Sequence, residues 1–219
     1  MPGPEPGRDC PRCPRLVAVR VAQRATHPGW HNAPVPAFGD AHAWLAIVGL
    51  APGLRGANRT GRPFTGDHAG MLLYSTLQAN GLASGRYDPD GRDDLRLDGC
   101  IIINAVRCVP PANRPEPAEI ASCRPFLEGT LAALPNLTTL IALGQIAHAA
   151  ALRAHGLPAS GHRFAHGAQH RLPGGRLLID SFHCSRLNTN TGRLTPAMFE
   201  AVFRAAVSHR ASQARPGNA

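Results

Sequence analysis

The sequence contains no lysine, so all 23 of its basic residues are arginine. That absence excludes a lysine side chain as the amine in Schiff-base chemistry. Acidic residues are also few, 14 against those 23, which leaves a net charge of +9 and excludes an acidic, cation-sequestering surface. Long apolar runs are missing too. None approaches the ~20 residues of a membrane helix, and the stretch from Met1 to Cys13 holds no apolar secretory core, so a cytosolic location with no membrane partner is expected. The 23 Gly and 21 Pro of 219 residues, about a fifth, stay below the roughly 25–30% that marks disorder.

With 43% apolar residues over 219 positions, the chain suffices for one globular domain spanning 1–219, with looser ends at about 1–8 and 211–219. A monomer is expected. The surplus of guanidinium groups suits a polyanion, because each presents paired donors in one plane. The absence of lysine as such is equally accounted for by the coding bias of a GC-rich genome.

Four short apolar runs predict strands: Trp44 to Leu50, Cys100 to Val106, Thr139 to Leu143 and Leu177 to Phe182. They lack polar alternation, which fits parallel strands buried on both faces. Helical patterns lie between and after them, at Ala69 to Leu82, Pro117 to Leu134, Gln145 to His155 and Pro196 to His209, the last with Thr195 as its cap. The alternation predicts a three-layer α/β/α domain around a mostly parallel four-stranded sheet. Ligands of such sheets sit beyond the carboxyl ends of the strands, where Gly49 to Gly53, Asn104 to Pro111, Gly144-Gln145 and His183 to Arg193 collect.

Of six cysteines, Cys10 and Cys13 form a C-x-x-C pair, and Cys108 and Cys123 stand where they can serve the same centre. Four thiolates suit structural zinc as well as a [4Fe-4S] cluster. Cys100 reads as a small core residue, and Cys184 neighbours a polar loop.

The loop Asn58-Arg59-Thr60-Gly61-Arg62-Pro63-Phe64-Thr65-Gly66-Asp67 carries an aromatic, a carboxylate and permissive glycines. Taken alone it is a solvated loop whose Asp67 caps the next helix. The segment His183 to Thr195 is dense in His, Ser, Arg and Asn donors that suit phosphates and a base edge. Together with Cys10-Pro-Arg-Cys13, Gly49-Leu-Ala-Pro-Gly53, Asn104-Ala-Val-Arg-Cys108 and Ala142-Leu-Gly144, these segments resemble the iron-sulfur uracil-DNA glycosylases, most closely their fifth family, the type b enzymes.

That resemblance implies a monofunctional DNA glycosylase acting on DNA containing uracil or other deaminated bases such as hypoxanthine. It further implies that Cys10, Cys13, Cys108 and Cys123 hold a structural [4Fe-4S] cluster. Base removal needs the nucleotide flipped into a pocket and its Watson-Crick edge read there. In that pocket Gly49, Ala51 and Phe64 would contact the base, and the amide of Asn104 would pair with its edge. His183 would donate to O2 as charge develops. Asp67 would stabilise the oxocarbenium-like sugar or orient the attacking water. Ser185, Arg186, Leu187, Asn188 and Arg193 would meet the DNA, Leu187 as a wedge. Leu50 and Ala51 are apolar where many relatives are polar or acidic, which matches the fifth family. The plain alternatives are that Asn104 satisfies strand-end backbone and Phe64 fills core. A non-catalytic four-cysteine zinc or iron-sulfur nucleic-acid-binding module is the rival from another class.

Overall fold

The computed structural model describes residues 5–214. Its elements run in the order α1 (Pro14–Thr26), β1 (Phe38–Gly39), β2 (Leu45–Gly49), α2 (Ala57–Thr60), α3 (His68–Ala79), β3 (Ala83–Ser84), β4 (Arg96–Leu97), β5 (Cys100–Asn104), α4 (Pro117–Ala132), β6 (Thr139–Leu143), α5 (Gln145–Ala154), β7 (Gln169–Arg171), β8 (Leu177–Ser181), α6 (Arg186–Asn190) and α7 (Pro196–Ala214). The main sheet has six strands in the order β1-β5-β2-β6-β8-β7. Its four central strands are the parallel ones expected, and β1 and β7 are short antiparallel edges that raise the strand count from four to six.

Burial of both sheet faces explains the unbroken apolar runs. Leu45 and Ile47 of β2 enter one core layer with Leu73 and Leu77 of α3 and Phe199 and Phe203 of α7. Ala46 and Val48 enter the other, with Leu127 and Leu131 of α4 and Ala147 and Ala151 of α5. Each fully buried Leu, Ile or Phe stabilises the fold by about 1.5–3 kcal/mol, so these two layers set the strand register.

Element ends differ from the sequence reading for local reasons. Beyond Asn104 the chain leaves the sheet, although Ala105 N–H and Val106 N–H still donate to Gly49 O and Leu50 O at 2.9 and 3.0 Å. The α3 helix stops at Ala79 because Gly81 turns the chain with φ +69°. As expected, Thr195 caps α7, its Oγ1 accepting from Met198 N–H at 3.2 Å. Of the ends expected to be looser, residues 1–4 and 215–219 lie outside the described residues. Within them, Glu5 accepts from Ala37 N–H at 3.1 Å and lies 3.3 Å from Arg107 Nη2, while residues 211–214 continue α7. Among the described residues no helix is long and apolar enough to cross a membrane.

Candidate active site

The carboxyl ends of β2, β5 and β8 open on one cleft of about 690 Å³, whose walls include Ala51, Phe64, Asp67, Asn104 and His183. Asn104 closes β5 directly opposite Gly49 in the parallel register. A Cβ at Gly49 would overlap Asn104 Oδ1 and stand 2.9 Å from Phe64 Cε2, so only glycine lets the amide and the ring approach this closely. Asn104 is 3% exposed, and its Oδ1 has no hydrogen-bond partner among the described residues. A buried amide oxygen left so costs roughly 1–3 kcal/mol, which a donor entering the cleft would offset. Among the described residues the side chain bonds no strand-end backbone.

Phe64 has φ +56°, a left-handed conformation that a bulky residue adopts only when its surroundings enforce it. The enforcement is visible on both sides of it. Tyr87 OH donates to Phe64 O at 3.3 Å, and Tyr74 OH donates to Pro63 O at 2.7 Å. Arg62 makes two 2.6 Å bonds to the Asp93 carboxylate beneath these rings, and holds it down at about 2. Phe64 therefore fills core and walls the cleft at once.

Asp67 likewise does both things its position allows. Its Oδ1 accepts from Gly70 N–H at 3.0 Å and caps α3, while the exposed carboxylate faces the cleft. A Cβ at Gly53 or Gly56 would stand 3.6 Å from Oδ2, so the first-strand loop passes closely over that oxygen. The His183 ring lies nearly parallel to that of Phe64, with centroids 5.9 Å apart and planes at 25°. Burial pushes its imidazole below the ordinary range against the opposing pull of Asp67, so at neutral pH it is an uncharged donor.

The loop after β8 contains the short α6, capped by Ser185. Arg186 stands on the rim of the cleft and Leu187, 73% exposed, projects beside it. Asn188 is committed inward, donating through Nδ2 to His183 O at 2.8 Å. Arg193 points elsewhere, its guanidinium 4.5 Å over the Phe182 ring in a neighbouring groove. Arg55, His68 and Asn113 also line the cleft. None was legible beforehand, because each sits in a turn or at a helix start with no periodic signal. His68 Nε2 lies 3.0 Å from Thr189 Oγ1 and ties α3 to α6.

A second pocket is lined by Cys10, Cys13, Cys108 and Cys123, with Leu16, Val106 and Phe126 as apolar wall. Cys13 immediately precedes α1, Cys108 follows β5, and Cys123 lies in α4. Two buried guanidiniums face it, Arg107, whose Nη2 lies 3.3 Å from Glu5, and Arg20. Arg20, 4% exposed, has no carboxylate partner among the described residues; it reaches Cys10 O at 3.0 Å and Cys108 Sγ at 3.9 Å. Its Nε has no partner among the described residues. A buried cation so placed calls for anionic sulfur nearby. A tetrahedral zinc would gather its thiolates to within about 3.8 Å of each other at Zn–S ≈ 2.3 Å. Among the described residues, no three of these sulfurs lie within 4.8 Å of one another. The donor set is thus more open than one zinc ion requires. Cys100 and Cys184 are fully buried core residues that donate to Leu82 O and Ala69 O, at 3.2 and 3.5 Å.

Residues 36–207 match the family model described as the uracil DNA glycosylase superfamily. A type-5 uracil-DNA glycosylase of Thermus thermophilus is 49% identical over 200 residues, covering 89% of this chain and 90% of the relative. The type-5 enzyme of Mycobacterium tuberculosis is 42% identical over 208 residues, covering 90% and 76%. A type-5 enzyme of Pyrobaculum aerophilum is 38% identical over 204 residues, covering 91% and 88%.

Proposed function

The chain belongs to the uracil-DNA glycosylase superfamily, and from that premise we propose that its cleft hydrolyses the N-glycosidic bond of uracil in DNA. The observation that carries this reading is the buried, unpartnered Asn104 Oδ1 held against Gly49 and Phe64. It accepts from the N3–H of a flipped uracil while the amide Nδ2 donates to O4. Phe64 walls the base on one side. As the C1′–N1 bond breaks, its electron pair moves onto the base, and neutral His183 donates to O2 where that charge collects. The sugar becomes oxocarbenium-like, and the exposed Asp67 carboxylate steadies it or orients the water that adds to C1′. Leu187 enters the stack where the base has left, and Arg186 meets a flanking phosphate.

Hypoxanthine carries the same N–H and C=O pair on its Watson-Crick edge. With Leu50 and Ala51 offering no polar side chain that would reject a purine, the cleft accepts it as a second substrate. The four cysteines hold a [4Fe-4S] cluster, a reading supported by their open spacing and by the buried Arg20 beside them. When bound, the cluster supplies iron-thiolate links that fasten the segment before α1 to the exit of β5 and to α4, and no chemistry at the base.

The test is release of free base from duplexes carrying one uracil or one hypoxanthine. Asn104→Ala is expected to lower the uracil rate on the order of 10²-fold. Uracil release unaffected by that change would remove Asn104 from base recognition.

A further inference from the structure

A second groove, of about 570 Å³, lies on the β8 side of the cleft along the same edge of the sheet. Its walls come from the start of α5, from the 159–166 segment before β7, and from Phe182 and Arg193. Consecutive residues at the exit of β8 face opposite ways: Phe182 lines the groove and His183 the cleft. The two spaces therefore adjoin at the exit of β8.

The groove's chemistry is one-sided. None of its lining residues is acidic, and among the described residues Arg163 and Arg193 enter no ion pair. Its histidines are already engaged. His166 accepts from Phe182 N–H at 3.2 Å through Nδ1, and burial holds it below the ordinary imidazole range. His148 is spanned between Asp180 Oδ1 at 2.8 Å and His162 O at 2.9 Å. Asp180 itself is fully buried behind the groove wall, its second oxygen 2.9 Å from His170 Nε2, and offers the groove no negative charge. Phe182 is covered as well, by His166 at 5.2 Å and by the Arg193 guanidinium at 4.5 Å. The aromatic faces are thus used to hold Arg193 flat, which leaves its N–H edges free. What remains available is two exposed, unpaired guanidiniums.

We infer that this groove is a phosphate track for the DNA strand flanking the flipped nucleotide, with Arg163 and Arg193 each neutralising one phosphate. The inference rests on the DNA-glycosylase reading of the adjoining cleft and adds the 159–166 segment to its DNA surface. Guanidinium suits the role because its planar fork matches phosphate oxygens, and stacking on Phe182 fixes the fork of Arg193 in advance of binding.

The experiment is the salt dependence of affinity for a uracil-free duplex, measured by anisotropy, with thermal melting to confirm that each variant folds. Each lost phosphate contact should flatten the slope of log affinity against log salt by about 0.9. Arg163→Ala should show one such step and Arg163→Ala with Arg193→Ala two, while Arg163→Lys should retain the wild-type slope. Arg153→Ala, at the far end of α5, should leave it unchanged. Wild-type slopes in both alanine variants, or an equal loss from Arg153→Ala, would overturn the track while leaving base release intact. A wild-type protein that binds no DNA would overturn the reading on which it rests.

Discussion

Asp67 is fixed by its cap and open to the cleft, and the two facts make its proposed catalytic part separable from its structural one. Asparagine keeps a side-chain oxygen for the Gly70 N–H and removes only the charge. Asp67→Asn is therefore expected to lower single-turnover base release by about 10²–10³-fold, as removal of one electrostatic stabiliser does, with affinity for an uncleavable substrate nearly unchanged. Equal losses in rate and affinity would make the carboxylate a binding group. Protonation gives a second residue-level expectation. Burial holds His155, His166 and His183 below the ordinary imidazole range. In the unfolded chain they take up protons below about 6.5 while the folded chain resists. Stability is thus full above that value and lost as pH falls below it. Asp93, held at about 2 through its bonds to Arg62, keeps its contribution until far lower pH. A melting temperature that falls between pH 7 and 5 is expected, and one flat over that interval would contradict the buried neutral histidines.

At the scale of elements, the four central strands were legible because a strand buried on both faces runs apolar without alternation, as Cys100 to Ile103 and Leu140 to Leu143 do. The edges were not. Gln169-His170-Arg171 of β7 is three polar residues that pair only because β8 lies beside them. The α1 helix has no legible pattern for a different reason: its buried side chains are Leu16 and Arg20, too few to make an apolar stripe. What docks it is the cysteine pocket at its start. Cys10→Ser or Cys108→Ser is accordingly expected to abolish the broad visible absorption of the purified protein and to lower its folded yield. A colourless wild-type protein containing zinc, with the same activity, would contradict the cluster. In the site, Asn104 and His183 were legible from their places at strand ends, whereas Phe64 and Asp67, in the loop between α2 and α3, stood out only through the family resemblance. The direction of Arg193 was not, because stacking on Phe182 is a contact no local pattern encodes.

Over the whole molecule, a net charge of +9 without a single lysine joins two consequences. Association with DNA should weaken steeply with salt. With no lysine amine to attack the sugar, only the terminal amine could form a Schiff base, and the proposed chemistry is water addition, which leaves an intact abasic strand. The most direct test of base hydrolysis in this cleft is single-turnover treatment of a duplex bearing one uracil, with free uracil, strand breaks and borohydride-trapped adducts followed together. Stoichiometric uracil is expected, with strand breaks only after alkali, no trapped protein-DNA adduct, and the Asp67→Asn protein slowed in parallel. A protein that binds the duplex and releases no base would instead be a non-catalytic nucleic-acid-binding module, and a trapped adduct would contradict attack by water.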